Sequence, residues 1–418
     1  MISSALLALG LILGTASQLR LPGVPLGLGE ACLVLWIGLA SLRLLADSRI
    51  ANPNALLWLL LFWFCFILIQ SFGAFLALLR PEIIDPELVV HDIFAYLLVA
   101  AITCLVAATL RPEGTLRQSL WFLIGFWIFA MAAQLALGWG YVHIASVDPW
   151  YWDRFRGWSE NPNQLAIYCA VLTPISLHMA LTAKGFSRFV AAFSCVATFV
   201  VGRLTKSDTY LISMSLSIPL FVALRLRSWL MSPEHRLSLR FAIAMLAVVA
   251  FVPLSLSLLP YGLAAANDVE GLAAGMMKDR GGEATKATAN LRLSLWEDAL
   301  QAGLESGSLG LGPGPHLEKP TGITDKGVPL PVEAHSTILD VFTQGGLPGV
   351  IIIFGLLAGT FALLLHARLD ALAVLIFALA IFSISHFVLR HPTVWFAVTL
   401  GLVLGSARRS PAHAGIGN

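Results

Sequence analysis

The stretch "LWLLLFWFCFILIQSFGAFLA", residues 57–77, decides the fold class of this chain because it contains no charged side chain. An α-helix needs roughly 20 apolar residues to cross a bilayer, so the stretch predicts a membrane-spanning helix. The whole chain has the same character: 58% of its 418 residues are hydrophobic, 12% are charged and the mean hydropathy is +0.82. Soluble domains are less apolar than this, and we therefore predict an all-α polytopic integral membrane protein.

Similar apolar windows occur along most of the sequence. They centre near residues 10, 35, 67, 101, 128, 174, 195, 217, 252, 357, 381 and 399. These windows predict about twelve transmembrane helices, and the short windows near 195 and 399 leave a range of ten to twelve. The resulting division places helices one to nine in residues 1–264, a large hydrophilic loop in 265–335, and helices ten to twelve in 336–418.

The basic residues indicate how the chain is oriented. Placing both termini in the cytoplasm assigns 13 of the 26 Lys and Arg residues to the inside. Six of the others lie in the large loop, which the positive-inside rule does not count. The remaining seven lie in short outer loops and are Arg20, Arg80, Arg154, Arg156, Arg203, Lys206 and Arg390. Such cations either extend to lipid headgroups or bind an anionic substrate, and the two close pairs favour binding.

Cysteine placement and net charge exclude several other classes of function. All five cysteines lie inside apolar runs, where neither a disulfide framework nor a zinc site is expected. A formal charge of +2 gives no general signal for a polyanion such as nucleic acid. We predict no metal, no cofactor and no nucleic-acid partner.

The segment "RFRGWSENPNQLAIY", residues 154–168, joins two arginines to a turn at the start of an apolar helix. Arg154 and Arg156 carry guanidinium groups that match phosphate oxygens in bidentate geometry. Asn161 and Asn163 are candidates for substrate binding, although either one can instead cap the helix that follows. A second segment, "VGRLTKSDTYL" at 201–211, places Arg203 and Lys206 in a very short turn. Charges so close to hydrocarbon are costly, which indicates a polar cleft open to the outside.

The large loop is predicted to be partly helical. In "ANLRLSLWEDALQAGLESG", residues 289–307, apolar residues recur at helical spacing, and Arg292 and Trp296 stand four apart on an adjoining face. Arg292 is a candidate for phosphate binding and Trp296 for glycan binding. The helix stops at "GSLGLGPGPH", residues 307–316, a glycine-proline run that can turn tightly and bring backbone close to a ligand.

The loop returns to the membrane through "PVEAHSTILDVFTQGGLPG", residues 331–349. His335 is the candidate general base, because an imidazole can accept a proton near neutral pH. Glu333 or Asp340 is the candidate acid that orients it. The alternative is a histidine at the interface that only caps the helix.

The order of these segments resembles the O-antigen ligase and O-antigen polymerase superfamily of bacterial envelope enzymes. The resemblance runs from about residue 150 to residue 350 and is carried by "RFRGWSENPNQLA", the short basic turn, "RLSLWEDAL" with "LGLGPG", and "EAHSTILDVFTQGGLPG". It implies a GT-C-like fold in the inner membrane with its active site on the periplasmic side. It also implies that His335 is the base and that Arg292 holds the diphosphate of the donor.

The activity implied by the resemblance is inverting, metal-independent glycosyl transfer. The donor would be a glycan on undecaprenyl diphosphate, and the acceptor would be a lipid A-core sugar for a ligase or a second lipid-linked glycan for a polymerase. Many relatives carry a Ser-Arg pair where this chain has Ser207 and Asp208. Arg203 or Lys206 is expected to replace the missing arginine. A transporter of lipid-linked sugars is the alternative from another class, but its charges would lie at the membrane midplane.

Overall fold

The structure is a computed structural model that describes residues 1–20, 27–47, 49–79, 86–230, 282–323 and 329–409. Two two-stranded antiparallel sheets occur in these ranges, β1 (Trp150–Tyr151) with β2 (Arg154–Phe155), and β3 (Leu317–Ile323) with β4 (Pro329–Val332). The rest of the regular structure is helical. The helices described are α1 (Ile2–Leu13), α2 (Leu28–Asp47), α3 (Pro53–Leu78), α4 (Pro86–Thr109), α5 (Arg117–Gly138), α6 (Pro162–Thr182), α7 (Phe186–Leu204), α8 (Asp208–Leu230), α9 (Gly282–Glu305), α10 (Thr337–His366), α11 (Asp370–Ser385) and α12 (Pro392–Arg409).

The helical, multi-pass character predicted from the sequence is confirmed. Within the described ranges, eight helices are long and apolar enough to cross a membrane, namely α2 to α8 and α10. Three shorter apolar helices, α1, α11 and α12, coincide with the windows near residues 10, 381 and 399. The window near residue 252 lies outside the described residues, so the count of twelve spans stays a prediction.

The chain divides into two compact units. The first comprises Met1–Pro219 and Ala299–Asn418, and the second comprises Leu220–Asp298. Much of the second unit falls outside the described residues, as do 265–281 and 324–328 of the predicted large loop. The domain boundary at 265–335 therefore stays a prediction.

Helix α6 is the central helix of the first unit. Of its apolar window, 78% is buried, against 22–44% for the windows of the other candidate spans. The helix begins where Asn161 Oδ1 accepts the backbone N–H of Asn163 at 2.9 Å, and Pro162 occupies the first helical position. Proline fits there because its fixed φ suits the first turn and its missing N–H would have no partner.

The contacts between helix ends fit the alternating direction of consecutive spans. Ends predicted to be inside contact each other: Asn52 Nδ2 donates to Ala107 O at 2.9 Å, and Arg408 Nη1 donates to Ala367 O at 3.3 Å. An end predicted to be outside likewise contacts another outer segment, since Gln18 Nε2 donates to Ser159 O at 2.5 Å. The two predicted faces are therefore segregated in the first unit.

Candidate functional site

A short hairpin places the two arginines that precede α6. Trp150 pairs with Phe155, and Tyr151 pairs with Arg154. Trp152 lies in the turn with φ +59°, a left-handed conformation that is uncommon for residues other than glycine. Phe155 is fully buried, so alternation along the strand turns Arg154 to the other side of the hairpin.

Arg156 is held by its own loop. Its Nε donates to Asp148 O at 2.9 Å, its Nη1 to Glu160 O at 3.1 Å and its Nη2 to Asp148 Oδ2 at 2.9 Å. The guanidinium also lies 5.4 Å from the centre of the Tyr151 ring. All three nitrogens are thus engaged within the loop, which braces the segment before α6. The substrate-binding role expected of Arg156 stays a prediction.

Arg154 joins the same loop to the short turn between α7 and α8. Its Nε donates to Thr205 O at 3.1 Å, and its Nη2 donates to Asn163 Oδ1 at 2.9 Å. Asn163 therefore orients the arginine. Asn161 caps α6, which is the structural alternative to substrate binding that the sequence offered for the two asparagines. The contact brings Arg154 to the turn that carries Arg203 and Lys206.

We call Arg154, Arg203 and Lys206 the cationic turn. Lys206 has φ +48°, and its Nζ forms an ion pair with Asp153 Oδ2 at 2.5 Å. The Arg203 side chain is exposed at the end of α7 and forms no ion pair within the described part of the chain. Asp208 is also exposed, at the start of α8. The structure thus brings three cations together at one turn. The sequence alone had placed only Arg203 and Lys206 there.

His335 lies just before α10 and is exposed. Its backbone has φ +54°, in the left-handed region. The Asp340 carboxylate stabilises this conformation, because Oδ1 accepts the N–H of Ala334 at 2.7 Å and Oδ2 accepts the N–H of Ser336 at 3.0 Å. Asp340 thus binds the backbone on both sides of His335, an arrangement related to a capping box. The acid orients the peptide that carries the histidine.

Glu333 has a different partner. It forms an ion pair with Nη2 of Arg390, whose Nη1 donates to Asp92 Oδ1 at 2.8 Å. Arg390 also lies over the Phe387 ring, 4.8 Å from its centre. Desolvation by the surrounding chain lowers the pKa of the adjacent His391 to about 4, and the positive charge of Arg390 acts in the same direction. That imidazole is therefore neutral at neutral pH.

The glycine-proline run packs against an interruption of α10. At Gly346 (φ 60°, ψ −163°) the helix breaks, and Leu347 N donates to Ser308 O at 2.9 Å. The freed carbonyl groups of Thr343 and Gln344 accept the N–H groups of Leu311 and Gly312, each at 2.8 Å. Backbone groups at membrane depth need such partners, so the run supplies hydrogen bonds that the broken helix lacks.

Side chains reinforce this junction. Tyr96 of α4 donates its hydroxyl to Gln344 Oε1 at 2.6 Å, and Gln344 Nε2 donates to Gly314 O at 3.2 Å. A Cβ atom on Gly310 would lie 2.4 Å from Gln344 O. This close approach of two backbone segments agrees with the structural role predicted for the glycines of the run.

The cationic turn and His335 lie at the same end of the first unit. The Thr209 and Ser385 hydroxyl groups are 2.6 Å apart, which joins the start of α8 to the end of α11. One residue further, His386 O accepts a hydrogen bond from Thr337 Oγ1 at 2.6 Å. Thr337 opens α10, two residues after His335. A short chain of contacts therefore connects the two groups.

Arg292 and Trp296 lie one turn apart on α9, as predicted, and both side chains are half-buried. They belong to the second unit, whereas His335 and the cationic turn belong to the first. Their roles in holding the diphosphate and the glycan stay predictions.

Sequence reasoning missed Asp92 and gave Arg390 no specific role. Asp92 is fully buried within the apolar helix α4. An acid inside a candidate membrane span is itself a signal of function, because a charge there is costly and is retained for a purpose. The spacing in sequence gives no indication of its partner, since 298 residues separate Asp92 from Arg390.

Comparison with known proteins gives a family match that includes Arg203, Lys206 and His335. Within the described ranges, no three His, Cys, Asp or Glu side chains form a group that could hold a metal ion. No curated protein matches the chain. Residues 191–354 match the family model for O-antigen ligase, which supports a membrane glycosyltransferase of the O-antigen ligase or polymerase type. The match covers the cationic turn from Arg203, the glycine-proline run, His335 and the break in α10. Residues 191–354 thus carry an O-antigen ligase family domain, which confirms the predicted resemblance over these residues, whereas the segment 154–166 lies outside the match.

Proposed function

We propose that the protein is an inverting, metal-independent glycosyltransferase of the bacterial inner membrane. It transfers a glycan from undecaprenyl diphosphate to a hydroxyl group of the lipid A-core at the periplasmic face. The observation that carries this proposal is that the cationic turn and an exposed histidine lie at the same end of the first unit, within or beside the matched residues 191–354.

The cationic turn suits the diphosphate of the donor. Arg203 is exposed, Lys206 is half-buried beside Asp153, and Arg154 is held next to them by Thr205 O. Guanidinium groups bind phosphate oxygens through paired hydrogen bonds, and they stabilise the negative charge that grows as the diphosphate departs. Arg292 keeps its proposed role of binding the diphosphate of the donor.

His335 suits the acceptor. Its imidazole takes the proton of the acceptor hydroxyl as that oxygen attacks the anomeric carbon. The attack comes from the face opposite the diphosphate, so the configuration inverts. A new glycosidic bond forms, the carbon–oxygen bond to the diphosphate breaks, and its electron pair leaves with the diphosphate. No other reactant is needed for this exchange.

The decisive experiment supplies purified protein in lipid vesicles with an undecaprenyl-diphosphate-linked glycan, with and without lipid A-core. Ligation predicts that glycan appears on the core and that nothing longer forms without it. Glycan chains that lengthen in the absence of core would establish a polymerase instead. Movement of intact donor across the bilayer, with no new glycosidic bond, would contradict both and favour a transporter.

A further inference from the structure

Arg390 links two carboxylates that come from distant parts of the chain. One is Asp92 in α4, bound at 2.8 Å, and the other is Glu333 in the strand-to-helix segment before α10. The guanidinium fork is suited to such bridging, because its nitrogens are fixed in one plane and point in different directions. A lysine has a single nitrogen and cannot reproduce this geometry.

The bridge is costly as a purely structural device. The Asp92 side chain is only 1% exposed, and its Oδ2 has no hydrogen-bond partner among the described residues. Removing a carboxylate from water is repaid only when all of its oxygens are well satisfied, and a buried ion pair is often no more stable than apolar side chains of the same volume. A cost of this kind in an apolar helix indicates a function.

The function follows from the position of Glu333, two residues before His335. Two residues of extended chain span at most about 7 Å, so anchoring Glu333 restricts where His335 can lie. Asp340 already binds the N–H groups on both sides of His335. The backbone of the histidine is therefore fixed from α10 by Asp340 and from α4 by Asp92 acting through Arg390.

We propose that Arg390 and Asp92 are positioning residues that hold Glu333, and through it His335, in the orientation needed for proton transfer. This inference rests on the proposed function of His335. It assigns Glu333 an anchoring role through Arg390, which differs from direct orientation of the imidazole by the acid. A shift of about 1 Å in a reacting group can lower a rate by roughly 100-fold, so the anchor is expected to affect turnover strongly.

The test compares Glu333→Gln with Glu30→Gln in the full-length protein in vesicles. Glu30 forms an ion pair with Arg20 at 2.8 Å on the predicted outer face, so it is a matched control that also removes one arginine–glutamate pair. We expect Glu333→Gln to lower kcat by about 10- to 100-fold while the KM for the lipid-linked donor stays within about twofold. Glu30→Gln is expected to change neither constant by more than about twofold.

Arg390→Lys provides an independent variant that keeps the charge beside Asp92. It is expected to lower kcat as Glu333→Gln does, and the double variant is expected to lose no more than either single variant, because both remove the same contact. Fully additive losses, or a kcat for Glu333→Gln equal to that of Glu30→Gln, would overturn the proposal. If Arg390→Lys does not fold, Glu333→Gln decides the question alone.

His335→Ala distinguishes failure of the positioning role from failure of the proposed general base. If His335→Ala is inactive while Glu333→Gln is fully active, the positioning role is wrong and the general base stands. If His335→Ala is fully active, the proposed base is wrong and the positioning role falls with it.

Discussion

Arg156 and Arg390 both lie on the predicted outer face, but their partners differ in chemical type and in burial. Arg156 donates to two backbone carbonyl groups and to Asp148, a carboxylate that is 68% exposed. Arg390 binds two carboxylates, and one of them is almost completely buried. An arginine that satisfies the carbonyl groups of its own loop stabilises that loop. An arginine that compensates a buried acid beside a candidate base is better explained by catalysis.

Left-handed residues occur near both regions, at Trp152 before α6 and at His335 before α10, but the contacts at the two helix starts differ. The segment before α6 follows ordinary capping rules, with Asn161 as the cap and Pro162 in the first turn. His335 instead adopts a left-handed conformation that Asp340 maintains from one turn inside α10. The comparison therefore predicts that changes near His335 affect turnover and that changes near Arg156 affect stability.

The largest effect is expected for His335→Ala. Loss of a general base lowers the rate of a transfer reaction by about 10²- to 10⁴-fold. The thermal stability in detergent should change little, because the side chain is exposed. His366→Ala is the matched control, since it removes a histidine from the opposite end of the same helix. Equal activity of the two variants would remove His335 from the mechanism.

The second effect is structural. Gly346→Ala would place a Cβ atom 2.1 Å from Ser308 O at a residue with φ 60°. Left-handed strain and a clash with rigid backbone should lower the free energy of unfolding by about 2–5 kcal/mol. Gly355→Ala, in the same helix, meets no atom within 4 Å and is expected to be neutral. Thermal unfolding in detergent distinguishes the two, and equal unfolding temperatures would contradict the packing described for the break in α10.

The third prediction concerns Arg156→Ala. Loss of three hydrogen bonds within one loop should lower the free energy of unfolding by about 1–2 kcal/mol. The KM for the donor should remain unchanged in protein that is still folded. Lys184→Ala is a control because it removes an exposed cation from the loop between α6 and α7. A large rise in the donor KM for Arg156→Ala, without a change in stability, would instead assign Arg156 to substrate binding.

The smallest effect is expected for Arg203→Ala. Removing one exposed cation from the cationic turn should raise the donor KM by roughly 3- to 10-fold, because its contact with the diphosphate is partly screened by water. Arg188→Ala removes an exposed arginine from the other end of α7 and should leave the KM unchanged. Initial rates measured over a range of donor concentrations give both values. An unchanged KM for Arg203→Ala would show that another cation replaces the missing arginine at Asp208.

The sequence predicted those features that depend on neighbouring residues. Apolar windows identified the helices because spanning length and hydropathy are local properties. The glycine-proline run was predicted to turn tightly and bring backbone close to a ligand; Gly310 instead lies against the backbone of α10, and the ligand contact stays a prediction. The alternative reading of Asn161 as a helix cap also followed from its position before Pro162 and is present in the structure.

The features that the sequence could not predict depend on how distant helices pack. The contact of Arg154 with Thr205 joins residues 51 apart, and that of Arg390 with Asp92 joins residues 298 apart. Glu333 or Asp340 was predicted to orient the His335 imidazole, and that role stays a prediction; the structure adds that Asp340 accepts two backbone N–H groups around His335. No periodicity in the sequence distinguishes these two roles, because the same spacing permits both.

We expect His335 to face the outer aqueous phase and the His366 end of α10 to face the cytoplasm. The most direct test replaces the five native cysteines, introduces His335→Cys or His366→Cys, and treats intact cells with a maleimide that cannot cross membranes. We expect rapid labelling at position 335, and labelling at position 366 only after the membrane is permeabilised. Labelling at 366 in intact cells, with 335 protected, would contradict this orientation.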